Sequence, residues 1–182
     1  MSKSRTKTEI NQLIADSASY REDMEFVQET ISGKKVFIGQ LVAESGAETS
    51  AAFCVTVGMY QFDLPEVVVS GVPVFVVKDL VDELTEGHDF DREFLGGGRP
   101  KLIHDYNVIA LPIEMPEQHQ VLNLCRDFYT LNDKPVFNAV QLVFADERGA
   151  FPWTAGYRQE DRDSQPLLGM GYGAVSSAGL AQ

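Results

Sequence analysis

The sequence predicts an α+β domain: a mostly antiparallel sheet, with room to curl into a partial barrel, under covering helices and a C-terminal arm that closes one edge. Three observations carry that prediction. Two alternating runs, FCVTVGMY and PEVVVSG, are separated only by a QFDLP turn, which predicts an antiparallel hairpin. The periodicities follow the order helix, strand, strand, strand, helix, strand, helix, strand, which is not the regular alternation of a doubly wound parallel sheet. With 182 residues, 44% of them hydrophobic and 10% aromatic, the chain can build one sizeable core and falls short of two ordinary domains.

Ile10, Leu13, Ile14 and Ala18, then Met24, Val27 and Ile31, recur at helical spacing. The polar DSASYRED divides that segment into two helices, and Gly33 stops it. Residues 34–44, KKVFIGQLVAE, are rich in Val, Ile and Phe and read as a strand before the loop SGAETSAA. In the hairpin, Phe53, Val55, Val57 and Met59 face one way and Cys54, Thr56 and Gly58 the other; Val67 and Val69 oppose Glu66, Val68 and Ser70. Pro73 suits a first helical turn, and Val74, Val77, Leu80, Val81 and Leu84 form an apolar stripe that Gly87 ends. Residues 88–105 contain LGGGRPK and no sustained period, so they read as one long loop. NVIALPIEM is a strand, Pro116 starts a helix with Val121, Leu124, Cys125 and Phe128 on one face, and VFNAVQLVFAD is the last strand. Residues 1–33 are thus a helical segment, 34–169 a single domain and the Gly-rich 170–182 a flexible tail.

Lys and Arg number 15 against 27 Asp and Glu, a formal charge of -12. Such a surface disfavours general binding of nucleic acid or anionic membranes. The basic N-terminus leads into no apolar run of signal-peptide type, and no stretch approaches the ~18 apolar residues of a membrane span, so a soluble, cytoplasmic protein is expected. Cys54 and Cys125 lack CxxC spacing and sit in apolar-periodic segments, as buried, reduced thiols do.

GGGRPK offers backbone amides beside Arg99 and Lys101, but it lacks both the GK[ST] ending of a phosphate loop and the GxGxxG of a dinucleotide site; a mobile connector is the plainer reading. His88, His104 and His119 share no metal-binding spacing, so no metal site is expected, although His104 with Asp105 could act together at a cleft. Ser70 lies between a strand and a helix without the glycines of a nucleophile elbow. Glu66 at a strand start is within reach of Thr56, against the plainer reading of a solvated edge charge. Trp153, Tyr157 and Arg158 in FPWTAGYR read first as a lid crossing the sheet and second as walls of a ligand pocket; QPLLG would pin the arm into an apolar groove.

FCVTVGMYQFDLPEVVVSGVP, the helix to Gly87, QLVFADERGAFPWTAGYR and QPLLG, in that order, resemble the domain-of-unknown-function 4262 family of bacteria and their phages. The similarity spans about residues 36–169 and falls on Phe53, Thr56, Gly58, Leu64, Pro65, Glu66, Gly71, Asp146, Gly149, Pro152, Trp153, Gln165, Pro166 and Leu167. Cys54 and Val55, Ala145 and Ala155 depart from the family pattern. The resemblance implies an architecture and no reaction. A hairpin under a helix is also similar to split-barrel flavin proteins, an analogy of fold alone; no residue cluster is diagnostic of flavin, and the sequence names no cofactor.

No set of residues outweighs its plainer reading as a catalytic site. The leading expectation is therefore a non-enzymatic accessory or regulatory protein that binds a protein partner, favourably a basic one, or a small molecule. The alternatives are an enzyme or cofactor binder with a pocket near Thr56, Glu66 and Trp153, in which Glu66 or His104 serves as acid or base, and a phage structural or assembly protein.

Overall fold

The computed structural model describes residues 4–41, 52–86, 92–97, 99–103, 105–158 and 164–168. Helix α1, Lys7–Asp16, opens with a capping box: Thr6 accepts from the Glu9 amide, and the Glu9 carboxylate accepts from the Thr6 amide. Ser17 ends α1 and caps α2, Ala18–Ser32, so the polar break is where one helix hands over to the next. Gly33 terminates α2.

Six strands form one mixed sheet: β1 Phe37–Leu41, β2 Phe53–Val57, β3 Glu66–Ser70, β4 Lys101–Ile103, β5 Tyr106–Pro112 and β6 Ala139–Phe144. Their order is β1-β2-β3-β6-β5-β4, and every pairing is antiparallel except β3 with β6. The sheet is open, with β1 and β4 at its edges, and so takes the flatter of the two forms the sequence allows. The β2–β3 hairpin keeps the predicted facing through Val57, with Val55 opposite Val68, but Met59 packs with Cys54, Val67 and Val69 because left-handed Gly58 breaks the alternation before it.

Two segments differ from the sequence reading. Residues 88–105 are not one loop: they hold a short helix α4, Arg92–Leu95, and β4. Neither is long enough to show a period, and β4 exists because it pairs with β5. The helix after Pro116 begins instead as two 3-10 turns, Pro116–Gln118 and Gln120–Leu122, because His119 between them is extended; α5 proper is Asn123–Leu131.

The sheet is covered on both faces. On one, Val67, Val69, Val140 and Leu142 pack against Val77, Leu80, Val81 and Leu84 of α3, Val74–Glu86, and against Phe94 and Leu95 of α4. Val76, not the exposed Val74, completes the stripe. On the other face, Val55, Val57 and Val68 lie under α2 and α5. Ile109, Leu111 and Val143 lie under Phe151, Trp153 and Leu167 of the C-terminal arm.

Two glutamines fasten that arm. Gln165 accepts from the Phe144 amide at 2.9 Å and donates to the Phe144 carbonyl at 3.2 Å, so its side chain pairs with β6 as a neighbouring strand would. Gln141 donates to the Pro166 carbonyl and accepts from the Leu168 amide, each at 2.8 Å. Gly71, at φ +78°, lets the arm approach: a Cβ there would stand 2.5 Å from Cγ of Gln165.

Candidate functional site

The hairpin places Thr56 and Glu66 together. The β2–β3 ladder ends at Val55 and Val68, and beyond it the Thr56 hydroxyl replaces a backbone acceptor. It accepts from the Val67 amide at 2.7 Å and donates to Glu66 Oε2 at 2.7 Å. Gly58, at φ 110°, then turns the chain into a 3-10 turn, Met59–Phe62. That left-handed residue aims two consecutive amides at Glu66 Oε1, Gly58 at 2.9 Å and Met59 at 3.1 Å. The Tyr129 hydroxyl of α5 donates to the same oxygen at 2.6 Å.

Glu66 is 0% exposed, which overturns its reading as a solvated edge charge. Burial raises its pKa, while Tyr129, Thr56, Gly58 and Met59, all donating, oppose that rise. Burial, then the Glu66 charge, push the Tyr129 phenol up, and the buried Cys125 thiol is raised well above its ordinary value by the same two causes. All four donors that meet the Glu66 carboxyl are supplied by the fold.

Tyr129 is also the boundary of a cleft. About 660 Å³ in volume, it is lined by Tyr60, Pro65, Pro112, Tyr129, Val136 and Phe137, among others. The Tyr129 ring lies 5.5 Å from that of Tyr60, edge-on, and 4.9 Å from that of Phe137, while the Lys134 ammonium stands 4.7 Å over Tyr60. Thr56 and Glu66 are behind this wall and do not line the cleft.

The arm residues are engaged elsewhere. Trp153 stacks on Phe151 at 5.1 Å with ring planes 4° apart, half-buried over β5 and β6. Tyr157 is buried and its hydroxyl accepts from Gln165 at 2.9 Å; Arg158 is exposed. None of the three lines the cleft, so the structure joins Thr56 to Glu66 and Trp153 to the arm's own packing, without bringing the two groups into one pocket. His104 and His88 lie outside the described residues, and the His119 ring meets the Glu114 carbonyl at 3.3 Å. Because the ring is only half-buried, replacing Trp153 with alanine is expected to cost about 3 kcal/mol, the low end of the range for large aromatic side chains. Urea unfolding checks it, and an unchanged midpoint would exclude the lid role.

Family membership is now decidable. The family model described as Domain of unknown function (DUF4262) matches residues 34–158. The chain belongs to the DUF4262 family. No curated protein and no solved structure matches it. The DUF4262 match contains Thr56, Gly58, Glu66 and Tyr129, and also Trp153 to Arg158; helices α1 and α2 precede it, and Gln165 follows it.

Other candidates resolve individually. Gly97, at φ +89°, is a packed turn rather than a slack connector, since a Cβ there would meet Pro112 at 3.0 Å; Gly98 lies outside the described residues. Cys54 and Cys125 are buried and unpaired. Among the described residues no group of His, Cys, Asp and Glu could hold a metal, and no helix is long and apolar enough to cross a membrane.

Sequence reasoning missed Tyr129 and Asp127. A tyrosine four residues after Cys125 on a helix's apolar face needs a hydrogen-bond partner, and that was the available signal. Asp127 is 0% exposed and accepts from the Tyr20 hydroxyl at 2.6 Å and from Arg5 and Arg126. It had no signal, because two of its three partners, Arg5 and Tyr20, lie more than a hundred residues away in the sequence.

Proposed function

We propose that this protein is a non-enzymatic accessory or regulatory protein that takes an apolar small molecule, or an apolar side chain of a protein partner, into the cleft over Tyr129. One observation carries the reading: the cleft wall is mostly aromatic and aliphatic, with Asp63 and Asn138 among its lining, and the carboxylate behind it is already saturated by Thr56, Gly58, Met59 and Tyr129. Pockets of a few hundred Å³ lined mainly by apolar and aromatic chains are those that bury small ligands. Val136, 81% exposed at the rim, can be changed without touching the core. The neutral dye Nile red is expected to bind the native protein with increased fluorescence. Val136→Glu is expected to weaken that binding at least tenfold while leaving the thermal midpoint within about 1 °C, as is usual for surface changes. Equal binding by both proteins would remove the cleft from consideration.

A second reading has one observation in its favour: Tyr129 touches both the cleft and Glu66, a route for a proton between a bound substrate and a buried acid or base. Tyr129→Phe separates the two readings. It preserves the cleft's apolar wall and hence Nile red binding, but it would abolish any turnover that runs through the phenol.

A further inference from the structure

Strand β1 lies at the edge of the sheet, and among the described residues its ladder partner is β2. A groove of about 600 Å³ opens at its Phe37 end, between α2 and α3. Val36, Phe37 and Ile38 all line this groove. Successive residues of an extended chain point to opposite faces, so a groove that all three line passes around the backbone where β1 begins; Gly39, Gln40 and Leu41 do not line it. Phe37 belongs to the core under α2, whereas Val36 and Ile38 pack against the core under α3. The slot is therefore roofed by one helix and floored by the other.

Its walls are unusual for an exposed surface. Phe26 is 60% exposed although its ring touches Phe37 edge-on at 5.7 Å, and the exposed Phe62 also lines the slot. The charge is unusual as well. In a chain of net charge -12, Lys34, Lys35 and Lys78 converge here against Asp82 and Glu86. Lys78 pairs with Asp82. Lys34 and Lys35, both exposed, enter no ion pair among the described residues and form the positive end of the slot.

We infer that this slot receives an extended, acidic segment of another protein, which adds to β1 as a further strand. Strand addition to an open edge draws affinity from main-chain hydrogen bonds and specificity from alternate side chains. Here one set of alternate side chains meets Phe26 and Phe37, the other meets α3, and a carboxylate at one end meets Lys34 and Lys35. A second copy of this chain is the poorer occupant. Antiparallel β1 to β1 pairing would set Lys34 and Lys35 against the Leu41 end of the other copy, with two surfaces of the same strong negative charge brought together.

The slot is separate from the Tyr129 cleft, so its test does not depend on that cleft. A fluorescein-labelled peptide alternating Glu and Val over eight residues is the probe, followed by fluorescence anisotropy. Binding is expected to slow amide exchange across Phe37–Leu41, to weaken at least tenfold in Lys34→Glu/Lys35→Glu, and to be lost when alternate peptide nitrogens are methylated. Val136→Glu, which is aimed at the cleft, is expected to leave peptide binding unchanged. The inference is overturned by any of these outcomes: no binding, equal affinity in the charge-reversed variant, equal or tighter binding of a Lys-Val peptide, or a dimer in sedimentation that Lys34→Glu/Lys35→Glu dissolves.

Discussion

Replacing Glu66 with alanine is expected to lower folding stability by about 4 kcal/mol or more. The substitution removes one acceptor group but strands four donors: the Thr56 and Tyr129 hydroxyls and the Gly58 and Met59 amides. Each buried polar group left unpaired costs about 1–3 kcal/mol, and the space vacated adds a cavity. The hydroxyls can rotate toward other acceptors, but the amides are fixed by the turn at Gly58 and cannot. Glu66→Gln keeps an oxygen for the two amides and Tyr129 and can turn its NH2 toward Thr56, so its cost is expected to be about 1–2 kcal/mol. Urea unfolding of both variants measures the difference, and equal losses would mean that the donors find other partners.

The same pair exposes a pH dependence. Glu66 has a raised pKa in the folded protein, so between the ordinary glutamate value and the folded one the native state holds a proton that the unfolded chain has released. The contribution of Glu66 to stability is therefore fully present below the ordinary value and declines as pH rises through the folded one. The stability of wild type minus that of Glu66→Gln is expected to fall over that window and to level off above it. A difference that rises with pH would mean that the four donors outweigh burial.

The parts of this site visible in the sequence were those set by local pattern. Thr56 and Glu66 sit ten residues apart in one hairpin, and the short turn between the two strands brings them close although alternation assigns them to opposite faces. Alternation could not show that Glu66 is buried, because that depends on α5 being laid across the strand with Tyr129 63 residues away. The parallel pairing of β3 with β6 was invisible for a related reason: β3 is as alternating and as Val-rich as an antiparallel strand, and its neighbour is fixed by the intervening crossover. β4 was missed because three residues carry no period, and its stability comes from β5. The arm was read as a lid that closes an edge of the sheet; it covers the face of β5 and β6, while the edges are β1 and β4, and its anchors are the amides of Gln141 and Gln165, which no apolar pattern marks.

Removing residues 1–33 is expected to prevent cooperative folding, although the family match begins only at residue 34. Helices α1 and α2 are not an appendage: Met24, Val27 and Ile31 share one core with Val55, Val57 and Val68 of the sheet and with Cys125 and Phe128 of α5, and Ile10 is fully buried. Burial of four such side chains is worth about 1.5–3 kcal/mol each, or about 6–12 together. The truncation also takes Arg5 and Tyr20 from the buried Asp127, and breaking a buried charged cluster costs about 3–5 kcal/mol more. The sum matches or exceeds the ~5–15 kcal/mol that holds an ordinary domain together. Residues 34–182 alone are expected to lack a cooperative thermal transition by circular dichroism, and Asp127→Asn in the full chain to lose only about 2 kcal/mol because its one oxygen, set in the place of Oδ2, keeps the Tyr20 and Arg5 donors and gives up only that of Arg126. A truncated chain that melts cooperatively near the full-length midpoint would show the two helices to be dispensable. In that event the core beneath α2 must close over Phe37 and Val57 by some other means.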